Sequence, residues 1–265
     1  MTQAHGQPVL VLVELLILSA AVAAYLMAAS RLRRRGDAWP RWRDGACTAG
    51  SVATAWATVG ELPWEPFTAH MVRHLVLGML VPLLLVLAHP LTLVLRSLAP
   101  GRARRGLLSL ARSRPVGLLV FPPLAGLLNM GGMWLIYRTP LLAVTEHHPL
   151  PHSLVHAHVL AAGLLFTFAV CSLDPVRRRW GLDVRGGTLL AVGAAHSVLA
   201  RTLYATPPPG TRFAAVDLHQ GAQMMYYGGD LAEGALAVVL GIGWYTATGR
   251  AWARRLRREP RTLVG

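Results

Sequence analysis

Apolar blocks long enough to cross a membrane, with arginines clustered in every second connection, constrain this chain more than any other feature. Seven segments have spanning length and hydropathy, roughly 9–29, 46–62, 70–95, 115–137, 153–173, 187–206 and 218–248. Arg31, Arg33, Arg34, Arg35, Arg41 and Arg43 follow the first segment, and Arg96, Arg102, Arg104, Arg105, Arg112 and Arg114 follow the third. Arg177, Arg178, Arg179 and Arg185 follow the fifth, and Arg250, Arg254, Arg255, Arg257, Arg258 and Arg261 the seventh. These are 22 of the 26 basic residues, all arginine; only Arg73, Arg138, Arg201 and Arg212 fall at or near the other face. Basic loops stay on the cytoplasmic side. The alternation therefore predicts an all-α integral membrane protein, multi-pass, with a single seven-helix transmembrane domain over residues 1–265. Its N-terminus would lie outside and its C-terminus in the cytoplasm. A six-span arrangement breaks the pattern.

Composition enters through what it excludes. Hydrophobic residues make up 54% of the 265 and charged ones 14%, against about a quarter charged in soluble domains. The net charge of +14 invites a nucleic-acid reading, but the charges sit between apolar blocks, where they fix topology and meet anionic lipid. Cys47 and Cys171 are far apart and form no CxxC, so neither a zinc ribbon nor a disulfide framework is indicated. They read as buried, inert thiols. The first basic cluster follows its apolar run rather than preceding it, which is not the order of a cleaved signal. Pro82 and Pro122-Pro123 are expected to kink their helices. Trp64, Trp134 and Tyr137 are expected to form an aromatic belt.

With that topology the histidines gather toward the outer face. His70 and His74 are four apart on one face of the third span, and His152 and His156 repeat the spacing at the head of the fifth. His219 opens the seventh span and His196 lies near the middle of the sixth, whereas His89 lies toward the cytoplasm. Imidazoles entering lipid gain nothing unless they ligate, pair or relay protons. At 100° per residue, His219, Gln223, Tyr226, Asp230 and Glu233 form a polar stripe on the seventh span. Asp230, near mid-bilayer, is expected to face the interior with Arg201 or His196 as partner; helix–helix glue is the plainer role for Asp230 and Glu233. Headgroup contact is the plainer role for His5, His147 and His148.

The candidate metal ligands are thus His70, His74, His152, His156 and His219, with His196 and the thioether of Met71 secondary. Asp217, Asp230, Glu233 and Arg201 are supporting polar groups. Imidazole suits copper, zinc and haem iron alike. Spacing alone does not separate copper from haem.

The run from His70 through Met71, Val72, Arg73 and His74 to Pro82 and His89-Pro90 resembles the third helix of the CtaG-type cytochrome c oxidase assembly factors, HMxQHLLL…PPLLVLGxP. His152 to His156, followed by Ala161 to Phe166, is similar to that family's HxxEHxxFLxxGLLFW, and Asp217 to Met225 to its DQxxGGxxMW. The resemblance covers nearly the whole chain. Departures are Arg73 for Gln, Val155 for Glu, a displaced Gln220, and Tyr226 for Trp. The resemblance implies a non-enzymatic metallochaperone that binds Cu(I) near the outer face. It would deliver copper to the catalytic subunit of the haem–copper oxidase. A haem-bearing redox protein and a copper transport or resistance permease are the rivals. An intramembrane protease is disfavoured, because neither GxSxG nor HExxH occurs.

Overall fold

Long runs of Leu, Val and Ala without turn residues leave the backbone one way to satisfy its own polar groups in an apolar setting, the α-helix. The computed structural model describes residues 6–147, 149–174 and 180–258, which form helices joined by short connections, with no strand among them. In order they are α1 (Gly6–Arg34), α2 (Arg41–Val59), α3 (Pro66–Leu75), a π-helical turn (Val76–Leu80), α4 (Val81–Leu87), α5 (Pro90–Ser97), α6 (Arg102–Ala111) and α7 (Arg114–Leu119). There follow α8 (Pro122–Arg138), α9 (Leu141–His147), α10 (Pro149–Cys171), α11 (Leu182–Ala205) and α12 (Ala215–Arg258). Among the described residues four stretches are long and apolar enough to cross a membrane: Val11–Arg34, Pro66–Ser97, Ser153–Cys171 and Ala215–Arg250. The other three expected spans fall on α2, on α7 with α8, and on α11.

Prolines and one histidine divide what the sequence reads as a continuous third segment. Pro82 has no N–H to give the turn before it and its ring crowds the carbonyl four residues back, so the helix widens at Val76–Leu80. That carbonyl, on Gly78, approaches α10 at Gly163, where a Cβ would stand 2.2 Å from it. Farther along, His89 takes a left-handed conformation (φ 52°, ψ 53°) and Pro90 restarts the helix as α5. Pro122-Pro123 does more than kink the fourth segment: α7 ends and α8 begins afresh after Phe121.

The main core joins α3, the π turn, α4, α8, α10, α11 and α12 around Phe67, Met71, Leu77, Tyr137, Phe166 and Met225. A smaller cluster, Tyr25, Ala29, Leu32, Trp39, Cys47 and Leu93, ties α1 and α2 to α5. Leu190 and Leu231 are 77% and 78% exposed, and Leu16, Ile17, Leu127, Leu154 and Ile242 also face outward. An apolar exterior of this extent suits lipid, not water.

Two joints fix the ends of the divided third segment. α3 has no side-chain cap of its own. Instead Asp217, from the first turn of α12, accepts the backbone N–H of Phe67 (2.9 Å) and of Thr68 (2.8 Å) and the Thr68 hydroxyl (2.7 Å). At the other end Asp174 accepts the Thr92 backbone N–H (3.0 Å) and the Thr92 hydroxyl, capping α5. Both carboxylates are buried. In each case a helix that starts on proline is capped by a distant chain segment.

Candidate metal centre

The Asp217 joint positions α3 against α12, and two glycines let the helices close. A Cβ on Gly221 would lie 2.5 Å from the Phe67 ring, and one on Gly228 would lie 2.5 Å from Leu75 Cδ1. From this start His70 and His74 fall on successive turns of α3 and face α8. His70 Nε2 shares a 2.9 Å hydrogen bond with the Tyr137 hydroxyl. The Tyr137 ring stands edge-on to both imidazoles, with centroids 5.7 and 6.2 Å away. His74 is buried, and neither of its ring nitrogens has a hydrogen-bond partner.

His156 reaches the same place from α10. A small cavity is bounded by His70, Arg73, His74, Tyr137, Val155 and His156, with room for the centre of about one water, ≈ 10 Å³. Arg73 leans away to donate to the Gly60 carbonyl at 3.2 Å. Val155, where the family pattern has Glu, gives the cavity an apolar wall. The side chains of His5, His147, His148 and His152 lie outside the described residues. Among the described residues no three His, Cys, Asp or Glu side chains stand close enough together to hold a metal ion.

Behind His74 the polar groups continue inward. The His196 ring on α11 lies 6.2 Å from that of His74, tilted by 32°, and is 1% exposed. Its nitrogens have no hydrogen bond, although Glu233 Oε1 of α12 lies 3.6 Å from Nδ1. Glycine makes the space on both sides. A Cβ on Gly229 would lie 2.2 Å from His196 Cε1, and one on Gly193 would lie 2.2 Å from Glu233 Oε2.

Several expectations need correction. His219 does not bound the cavity of His70, His74 and His156: it stacks on Tyr204 of α11 at 4.2 Å. Asp230 is exposed rather than internal, and its nearest partner is Ser197 Oγ at 3.4 Å. Arg201 donates to the Tyr226 hydroxyl at 3.1 Å instead of pairing with Asp230. The α12 stripe thus runs along α11, with His219 on Tyr204, Tyr226 on Arg201, Asp230 on Ser197 and Glu233 beside His196, but only Glu233 reaches a buried side chain while Asp230 stays exposed. Met71 is packed in the core and is not among the residues bounding this cavity. Asp217, expected near the site, supports it through the helix start. Tyr137 is no belt residue but a fully buried partner of the site, which its position at a segment end concealed. Asp174, which caps α5, carries no local signal in the sequence. Cys47 and Cys171 are free and buried, as expected.

Proteins of Mycobacterium bovis and Mycobacterium tuberculosis, both described as uncharacterised, are 35% identical over 182 residues, 65% of this chain and 28% of theirs. An uncharacterised Mycobacterium leprae protein is 33% identical over 183 residues, with the same shares covered. The chain thus spans little more than a quarter of the length of these relatives. No solved structure gives a significant match. The family model described as cytochrome c oxidase caa3 assembly factor (Caa3_CtaG) matches residues 23–247. On that match, covering helices α2 to α11, the last part of α1 and most of α12, the chain belongs to the cytochrome c oxidase caa3 assembly factor family.

Proposed function

We propose that this member of the family holds copper near the outer face of the plasma membrane and passes it to the catalytic subunit of cytochrome c oxidase, without catalytic turnover. The arginine alternation supports a seven-span topology with the N-terminus outside, which puts the Asp217 end of the bundle on the outer side. The observation that carries the reading is the meeting of His70, His74 and His156, from two helices, on one cavity. His152 lies one turn before His156 on α10 and completes the candidate set. A site with few fixed ligands suits cargo that must leave: each exchange forms one copper–nitrogen bond and breaks another, and no electron moves. Cavity size favours copper over haem, since ligand pockets run to about 300 Å³ or more and this one takes about one water, ≈ 10 Å³.

The test is purification in detergent from copper-replete cells, with an absorption spectrum and elemental analysis, beside the double variant His74→Ala/His156→Ala. The expected result is near-stoichiometric copper in the parent, little in the variant, unchanged helical content and no Soret band. Unchanged copper in a folded variant overturns the proposed ligands. A Soret band overturns the choice of copper and restores the haem protein.

A further inference from the structure

His74 and His196 are a pair that the outer cavity does not explain. Both rings are nine-tenths or more buried, and all four of their nitrogens lack hydrogen-bond partners. Burying an imidazole with nothing to bind is costly. Glycine at 229 and at 193 reserves the space for the His196 ring and for the Glu233 carboxylate beside it.

We propose that His74 and His196 form a second, dry station for Cu(I), held in line between one nitrogen of each ring. The proposal rests on the copper reading above and deepens it. A metal–imidazole bond is about 2 Å long and each nitrogen lies about 1 Å from its ring centre, so a linear N–Cu–N unit puts the ring centres about 6 Å apart. The observed separation is 6.2 Å. Two imidazoles are enough for Cu(I), which accepts linear coordination, whereas zinc takes four ligands. Among the described residues no third His, Cys, Asp or Glu completes such a set. A monovalent ion also costs less to bury than a divalent one.

Glu233 is the positioning residue. Its Oε1, 3.6 Å from His196 Nδ1, takes that N–H as the ring settles onto metal and leaves Nε2 for copper. Ligating histidines are commonly held this way by a carboxylate. His74 borders both the outer cavity and His196, so it is the shared ligand through which copper moves inward: the His74 bond persists while a bond to His70 or His156 is exchanged for one to His196. The ion stays Cu(I) throughout.

The experiment loads the full chain in detergent with one equivalent of Cu(I), supplied anaerobically as its acetonitrile complex. X-ray absorption then counts the nitrogen neighbours, and competition with a Cu(I) chelator gives the affinity. The expected spectrum shows two nitrogens at about 2 Å. His196→Gln is expected to lower the affinity about 100-fold, and Glu233→Leu about 10-fold. Three or more nitrogens in the parent, or unchanged affinity in folded His196→Gln, overturns the inner station and leaves the outer reading standing. No Cu(I) binding by the parent overturns both. Should His196→Gln fail to fold, the neighbour count in the parent still decides.

Discussion

The two ends of the divided third segment use the same joint for different ends. At one, Pro66-Phe67-Thr68 starts α3 under Asp217; at the other, Pro90-Leu91-Thr92 starts α5 under Asp174. A tyrosine stands by each: Tyr137 bonded to His70 at 2.9 Å, and Tyr25 donating to the Ala88 carbonyl at 2.7 Å. A histidine stands by each too, but its role differs. His89 is part of the joint, in the left-handed bend with Nδ1 3.7 Å from Asp174. His70 and His74 lie one and two turns past their joint, and the His74 ring makes no hydrogen bond. The Asp174 end absorbs its polar groups in holding helices together. The Asp217 end has imidazoles to spare.

The joints themselves give the largest expected effect. Asp217 uses both oxygens on three donors, so Asp217→Ala strands two backbone N–H groups and a hydroxyl, at a cost of roughly 3–5 kcal/mol. Asp174 bonds through Oδ1 while Oδ2 has no partner, and Asp174→Ala is expected to cost roughly 2–3 kcal/mol. Thermal unfolding in detergent measures both. The comparison sharpens if copper binding falls with Asp217→Ala and survives Asp174→Ala at temperatures where each is folded. Equal copper loss in both would break it.

Next in size is the close approach behind the π turn. A methyl on Gly163 would meet the Gly78 carbonyl at 2.2 Å and the Pro82 ring at 3.0 Å, neither able to swing aside. Gly163→Ala is expected to cost about 1–3 kcal/mol. Gly193→Ala meets only the flexible tip of Glu233 and should cost less than Gly163→Ala in the same unfolding assay.

At the Asp174 end His89 tests whether its ring has any part in metal binding. His89→Ala keeps a side chain in the left-handed bend and loses the contact with Asp174, whereas His89→Gly relieves the bend. The glycine variant should be the more stable of the two by about 1 kcal/mol, with copper content unchanged in both. Copper loss in either would give this end a metal role the comparison denies it.

These contrasts also show what the sequence discloses. The helical class, the apolar segments and the i, i+4 pairing of His70 with His74 are local properties, written in hydropathy and spacing. The caps by Asp217 and Asp174 are not local: each acts on a helix start about 150 or 82 residues away in the chain, and no periodicity announces them. Helical phase puts Asp230 and Glu233 on one stripe, but which of them reaches the buried His196 depends on how α12 is rotated. That rotation follows from Gly221, Gly228 and Gly229 meeting Phe67, Leu75 and His196. His219 shares an end of the bundle with the other histidines but stacks on Tyr204 instead of bounding their cavity, since sharing an end does not mean facing its centre.

The smallest expected effect comes from the two tyrosines, and it divides the ends most cleanly. Tyr25→Phe and Tyr137→Phe each remove one hydroxyl while keeping the ring, so each should cost about 1 kcal/mol in the unfolding assay. Their effects on copper should differ. If His70 Nε2–H donates to the Tyr137 hydroxyl, Nδ1 is left to the metal, and the hydroxyl orients the ring as outer-shell partners of ligating histidines do. Tyr137→Phe should then weaken Cu(I) binding several-fold, roughly the lower part of the range for such partners, and Tyr25→Phe should leave it unchanged. Tighter binding in Tyr137→Phe would mean that copper takes Nε2 and that the tyrosine competes for it. The hydroxyl would then be a latch released during transfer, and the same bond length of 2.9 Å would describe a resting state rather than a supporting one.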